Sequence, residues 1–136
     1  EREKNMAEIG RKRSAGNSQD KENLYSVGEV CRLTGTTRKT LFYYDRIGLL
    51  TPSRRDGVQN FKEYDSDKVR RLRRIIQYRE AGLKISEIRE ILDDKEADAI
   101  QILQDALQRM KNEQSDMEEK IRRLQMLIKA ETERRR

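Results

Sequence analysis

The chain has 136 residues, of which 34% are hydrophobic and 41% are charged, and its formal net charge is +6. Chains so rich in charge and so poor in glycine, proline and aromatic residues are typically long solvated helices attached to at most one small globular unit. Because the chain has no histidine and one cysteine, Ser-His and Cys-His catalysis and His-bearing metal sites are excluded. We therefore expect no enzyme, no metal and no cofactor.

Two further classes of protein are disfavoured. No apolar run approaches the roughly 18 residues that a membrane-spanning helix needs, so we expect no membrane partner. A single cysteine cannot form an intramolecular disulfide, which fits a reducing compartment. The expected location is therefore cytoplasmic.

The positive charge is concentrated in the middle of the chain. Residues 24–81 hold 13 basic and 7 acidic groups, whereas residues 1–23 hold 6 and 5 and residues 82–136 hold 12 and 13. A domain that meets a polyanion localises charge in this way.

Residues 1–23 show almost no apolar periodicity and are predicted to form a flexible polar arm with a basic triplet, Arg11 to Arg13.

The next segment predicts two short helices. In YSVGEVCRL, Ser26 stands three residues before Glu29, which is the spacing of a capping box at the start of a helix. After a turn at Thr34-Gly35, Thr37 can cap a second helix, TRKTLFYYDRIG, which is expected to end at Gly48. Two short helices joined by a glycine-containing turn form a helix-turn-helix.

A hairpin and two more helices follow. The segment LLTPSRRDGVQNFKEY contains the only proline and an Asp56-Gly57 pair between alternating residues, which predicts a β-hairpin wing with basic residues near its tip. Asp65 then caps a third helix, which is predicted to run to Gly82. The five arginines of this helix, from Arg70 to Arg79, are expected to face outward. A fourth helix, ISEIREILDD, has its isoleucines on one stripe.

The rest of the chain predicts a coiled coil. From residue 95 to about residue 131 no glycine or proline interrupts the sequence, and apolar residues recur at alternating spacings of three and four. A helix of that length cannot bury this seam on so small a unit, so we expect it to pair with a second copy of itself. Residues 132–136 are expected to form a basic tail. The seam positions are Ile100, Leu103, Leu107, Met110, Gln114, Met117, Ile121, Leu124 and Ile128.

The stretch YSVGEVCRLTGTTRKTLFYYDRIGLLTPSRRDGVQNFKEYD, followed by RRLRRIIQYREAGLKISEIREILDD, resembles the DNA-binding domain of the MerR family of bacterial transcription regulators. The resemblance covers residues 24–94 and passes through both helices, the wing and the next helix pair. It implies a mostly α fold, a winged helix-turn-helix followed by a long antiparallel dimerisation coil, here without an effector domain. It also implies a homodimer that binds a two-fold operator in double-stranded promoter DNA, bends and untwists it, and acts on RNA polymerase.

The residues expected to contact DNA lie on the second helix and on the wing. The first turns of a recognition helix face base edges in the major groove, and Arg38 is the best candidate for a guanine. The wing arginines suit a flanking minor groove. Compared with the family pattern, Lys39 and Phe42 stand where arginine is usual, and Asn60-Phe61-Lys62 stands where Gly-Tyr-Arg is common. The full set is Thr36, Thr37, Arg38, Lys39, Phe42 and Tyr43 on the helix and Arg54, Arg55, Asn60, Lys62 and Tyr64 on the wing.

Tyr44 and Cys31 are expected to be structural. Tyr44 is predicted to lie in the core, and Cys31 shares a helical face with Val27 and Val30, which predicts an inert buried thiol rather than a sensor. Two other functions fit the same features: an architectural DNA-bending factor of the excisionase kind, or a coiled-coil module whose basic domain docks an acidic protein. The wing and the helix that carries Arg38 favour DNA over protein.

Overall fold

A computed structural model of the protein describes residues 23–57 and 61–136. The predicted N-terminal arm, apart from Asn23, and the wing residue Asn60 lie outside the described residues. The chain divides into two compact units, the first ending at Ala81 and the second spanning Gly82–Arg136. Within the described residues, no helix combines the length and the apolar character that crossing a membrane requires.

The first unit is a winged helix-turn-helix. Its described elements, in chain order, are β1 (Leu24–Ser26), α1 (Val27–Thr34), α2 (Arg38–Arg46), β2 (Arg54–Asp56), β3 (Phe61–Asp65) and α3 (Ser66–Glu80).

The predicted helix starts of this unit are confirmed. The Glu29 backbone N–H donates to Ser26 Oγ at 3.2 Å and the Ser26 N–H donates to Glu29 Oε1 at 2.9 Å, so both bonds of the capping box form. Thr37 caps α2 and Asp65 caps α3. Helix α2 is followed by Gly48, whose φ of +74° is a left-handed conformation that glycine adopts without a Cβ penalty.

The wing belongs to a three-stranded antiparallel sheet in the order β1-β3-β2. Strand β1 was not predicted, because three residues directly before a helix give no period-two pattern. It places Tyr25 opposite Tyr64 on β3, while Arg55 on β2 stands opposite Lys62. The wing is thereby attached to the core of the unit through its central strand.

The core of the first unit lies between the sheet, the helix-turn-helix and α3. Tyr44 is buried, as predicted, with 7% of its surface exposed. The other large buried side chains are Tyr25, Val30, Leu41, Leu49, Leu50, Tyr64, Val69, Leu72 and Ile75.

The second unit is a helix pair, α4 (Ile85–Asp93) and α5 (Ala99–Arg134). Leu83, Ile88 and Ala106 are its buried apolar residues. Asp98 caps α5, accepting from the Gln101 N–H at 3.1 Å. Helix α5 is about 54 Å long at 1.5 Å per residue, and it continues to Arg134, so most of the predicted C-terminal tail is helical.

Candidate DNA interface

The start of α2 presents exposed cations. Arg38 and Lys39 are exposed, and Thr36 is half-buried. Thr37 caps the helix: its Oγ accepts from the Thr40 N–H at 3.1 Å, and its hydroxyl donates to Thr40 Oγ at 3.0 Å. The first turn of α2 therefore has a fixed backbone and two long basic side chains on its surface.

Arg38 lies against a glycine of α1. A Cβ added at Gly28 would stand 3.2 Å from Arg38 Nη2, which is closer than an ordinary van der Waals contact. Gly28 thus leaves room for the guanidinium group beside α1. Sequence reasoning missed this contact, because an isolated glycine within a helix gives no sign of what approaches it.

Two aromatic rings on α2 are each covered by a cation. Phe42 is 40% exposed and Tyr43 is 42% exposed. Lys62 Nζ stands 4.4 Å from the centroid of the Phe42 ring, and the Arg46 guanidinium stands 5.4 Å from that of Tyr43. Cations at these distances are attracted by the ring quadrupole. Phe42 therefore serves as a platform for a wing cation.

An ion cluster joins the wing to the end of α2. Asp45 accepts from Arg55 Nη1 at 2.9 Å and from Arg55 Nη2 at 2.6 Å, and Lys62 Nζ is 2.9 Å from Asp45 Oδ2. The Asp45 side chain is 7% exposed, whereas that of Arg55 is 52% exposed. The hydrogen bond from Arg55, with that from Lys62, lowers the pKa of Asp45 against the opposing effect of burial. Asp45 is therefore an ionised acceptor for both wing cations.

The remaining wing residues differ in how available they are. The Arg54 side chain is 72% exposed and lies 3.9 Å from a carboxylate oxygen of Glu63, a loose pair at the surface. Lys62, which is among the residues expected to contact DNA, has a side chain that is 14% exposed, with its amine beside Asp45 and over the Phe42 ring.

The prediction that Tyr64 contacts DNA is wrong. Tyr64 has no exposed surface, because its position on the central strand directs it into the core opposite Tyr25. Burial, together with the nearby Asp45 charge, raises the pKa of Tyr64 to about 12. Among the described residues, its hydroxyl has no hydrogen-bond partner although it is buried.

Cys31 is half-buried rather than buried. Burial raises the pKa of its thiol, and the nearby Arg38 and Arg32 charges only partly oppose that shift. A raised pKa leaves less of the nucleophilic thiolate at neutral pH. In the described parts of the chain, no group of three or more potential ligands gathers into a metal site.

Two arginines predicted to face outward from α3 instead hold the helix-turn-helix. Arg71 Nε donates to the Leu49 carbonyl at 3.0 Å, and Arg73 Nη2 donates to the Leu33 carbonyl at 3.0 Å. Both are half-buried. They anchor α3 to the chain just after α2 and to the last turn of α1.

Helix α5 carries an exposed apolar seam. Of the predicted seam positions, Met110 is half-buried, and Gln114 is exposed between the apolar seam positions Met110 and Met117. Arg109 lies beside the seam and donates to Glu87 Oε2 at 2.6 Å, which ties α5 to α4 and lowers the pKa of Glu87. The exposed apolar positions are Ile100, Leu103, Leu107, Met117, Ile121, Leu124 and Ile128.

Comparison with known proteins gives family matches over both units. Residues 25–95 match the model of the MerR HTH family regulatory proteins, and residues 69–130 match the model described as MerR, DNA binding. The HTH-type transcriptional activator TipA of Streptomyces coelicolor is 45% identical over 74 residues. That match covers 54% of this chain and 29% of TipA, so the chain spans less than a third of that relative's length.

Two solved structures are similar in fold. The N-terminal part of Mta, the multidrug transporter activator of Bacillus subtilis, has a TM-score of 0.70 and 29% sequence identity, with 76% of this chain and 97% of that one covered. EcmrR, solved in a complex with DNA, has a TM-score of 0.73 at 24% identity, covering 82% of this chain and 41% of EcmrR. The winged helix-turn-helix with a long following helix is thus a fold that this chain shares with both.

Proposed function

The chain belongs to the MerR family of helix-turn-helix regulatory proteins, and from that membership we propose that it is a homodimeric transcription regulator that binds a two-fold operator in promoter DNA. The observation that carries this proposal is the juxtaposition, on one small unit, of an exposed basic first turn of α2 and a cationic wing. Double-stranded DNA presents base edges in a major groove that admits a helix, and phosphates on both sides of it.

The proposed contacts divide by role. Arg38 reads a base edge, because a guanidinium can donate two hydrogen bonds to guanine O6 and N7. Lys39, Tyr43, Arg54 and Arg55 contact phosphates and fix the register of the protein on the duplex. Thr36 lies near the base edges, and Thr37 keeps the first turn of α2 in place.

The exposed seam of α5 supports homodimerisation. Seven large apolar side chains at seam positions of that helix are more than a third exposed, and monomeric proteins rarely leave an apolar stripe of this length open. We propose that the seam pairs antiparallel with a second copy. Gln114, at the centre of the seam, then lies near its symmetry mate, where two amides can fix the register.

A dimer with two winged units can distort the promoter. We propose that it bends and untwists the DNA between the half-sites and so controls initiation by RNA polymerase. Bending a site of about 20–30 base pairs by about 40–90° costs on the order of 1–6 kcal/mol, which added phosphate contacts can offset.

Binding to DNA is tested by a mobility-shift titration over a range of salt concentrations. If six or more basic groups of the dimer meet phosphates, log affinity falls against log salt with a slope of about −5 or steeper. Arg38→Ala should cost roughly 1–3 kcal/mol and relax one base position, whereas Arg54→Ala should weaken all duplexes alike. Salt-independent binding would contradict the proposal, and equal affinity for every duplex would favour an architectural factor.

The antiparallel dimer is tested by cross-linking. In a Cys31→Ser background, Gln114→Cys should form a disulfide between chains, since like positions meet only at the centre of an antiparallel pair. Matched variants Leu107→Cys and Ile121→Cys should not link to their own copies. Disulfides at 107 and 121 as well as at 114 would show a parallel coil, in which every seam position meets its own copy.

A further inference from the structure

We propose that Asp45 is a positioning residue for DNA binding: it holds the guanidinium of Arg55 at the edge of α2, in the orientation in which the group meets a phosphate. The inference rests on the proposed function and adds a residue to it. Nothing in the sequence marks Asp45 for this role, because an acidic side chain on a helix that meets a polyanion is expected to repel it.

The geometry of the pair leaves Arg55 able to bind a second anion. A guanidinium has five N–H donors in a fixed plane. The two bonds to Asp45 use one donor on each of Nη1 and Nη2, and the side chain is 52% exposed while that of Asp45 is 7% exposed. Three donors therefore remain after the two bonds to Asp45, and about half of the Arg55 side chain is open to solvent.

The rest of the cluster fixes Asp45 in turn. Lys62 pairs with the same carboxylate at 2.9 Å and stands over the Phe42 ring at 4.4 Å. Phe42 and Asp45 belong to α2, whereas Lys62 and Arg55 belong to the wing, so the cluster locks the wing strands to the recognition helix. One carboxylate and two cations leave a net charge of +1 facing the DNA.

Two roles for Asp45, as a competitor of phosphate or as a positioning residue, predict opposite effects of its neutralisation on DNA affinity. If Asp45 competed with phosphate for Arg55, its neutralisation would release a cation, tighten binding and steepen the salt dependence. If Asp45 positions Arg55, its neutralisation adds one unit of positive charge and nevertheless weakens binding, because the guanidinium loses the orientation in which it reaches the phosphate.

The test uses the full chain and a fluorescein-labelled duplex of random sequence, since a phosphate contact is independent of base sequence. Fluorescence anisotropy measures the affinity of wild type, Asp45→Asn, Arg55→Gln and the double variant over a range of salt concentrations. Asp45→Asn should weaken binding about tenfold and reduce the steepness of the salt slope by about 0.9 per protomer. The double variant should bind within about twofold of Arg55→Gln alone, because Asp45 acts through Arg55.

Asp67→Asn is the matched control. It makes the same change of charge on the same unit, and Asp67 pairs only with Arg70 among the described ion pairs. It should leave affinity unchanged or slightly increase it. The readout that a merely structural role would not reproduce is the coupling to Arg55, since a loosened wing would weaken binding in the Arg55→Gln background as well.

Each outcome decides one question. Binding by Asp45→Asn that equals or exceeds wild type, or a double variant weaker by the sum of the two single effects, would overturn the inference while leaving the proposed function intact. A wild type that binds no duplex would overturn the proposed function itself. If Asp45→Asn does not fold at the assay temperature, Asp45→Glu, which keeps the charge but displaces the carboxylate, must show the same coupling.

Discussion

Ile121→Ala should weaken the proposed dimer without unfolding the chain. Ile121 is 47% exposed, so about half of its side chain is still available for burial by a second copy. Full burial of an isoleucine side chain contributes about 1.5–3 kcal/mol, so the remaining half contributes about 1 kcal/mol per chain. Two chains lose about 2 kcal/mol per dimer, which raises the dissociation constant about 30-fold.

Met126→Ala provides the matched control. Met126 is also a large apolar residue on α5 and is 67% exposed, but its position lies off the seam. Its truncation should leave the dissociation constant unchanged. Sedimentation equilibrium over a range of protein concentrations measures both variants against wild type. An unchanged dissociation constant for Ile121→Ala, or a larger effect for Met126→Ala, would refute the assignment of the seam as the dimer contact.

Three further predictions concern features of the two units and are tested by chemical denaturation. Tyr64→Phe should leave the unfolding free energy unchanged or raise it by up to about 1 kcal/mol, because it removes a buried hydroxyl without a partner; a clear loss would reveal a hidden partner. The lowered pKa of Asp45 means that its stabilising effect is present above the ordinary value of 3.8 and is lost as pH falls through the lower folded value. Asp45→Asn should therefore flatten the acid limb of the stability profile, and an unchanged limb would contradict the assignment. Gly82→Ala and Gly48→Ala should destabilise the chain by similar amounts, because both glycines have positive φ and the Met110 Cε that a Cβ at Gly82 would meet at 2.7 Å is the end of a flexible side chain that can move aside; a clearly larger loss for Gly82→Ala would show that Met110 is held in place.

The local starts and ends of the helices could be predicted because short-range hydrogen bonds determine them. Ser26 with Glu29, Thr37 and Asp65 each cap a helix through atoms within three residues along the chain. The seam of α5 was also predictable from nearby residues, because a spacing of three and four residues places side chains on one face of a helix.

Contacts between distant parts of the chain were not predictable in this way. Arg55 and Lys62 reach Asp45 across 10 and 17 positions, and no local pattern selects an acidic residue as their partner. Tyr64 was assigned to DNA, although Lys62 and Tyr64 occupy the same face of β3. Period-two alternation shows that these two side chains share a face but not which face is buried, because that depends on the packing of α1 and α3 against the sheet.

The most direct measurement is the selection of duplexes bound by the full chain from a pool of random DNA, followed by sequencing. A homodimer that reads base edges through Arg38 should enrich a pseudo-palindrome whose two half-sites have one fixed separation. Arg38→Ala should lose preference at one position in each half-site. A pool that shows no enriched sequence, or half-sites at no constant spacing, would contradict the proposal that this chain is a dimeric, sequence-specific regulator.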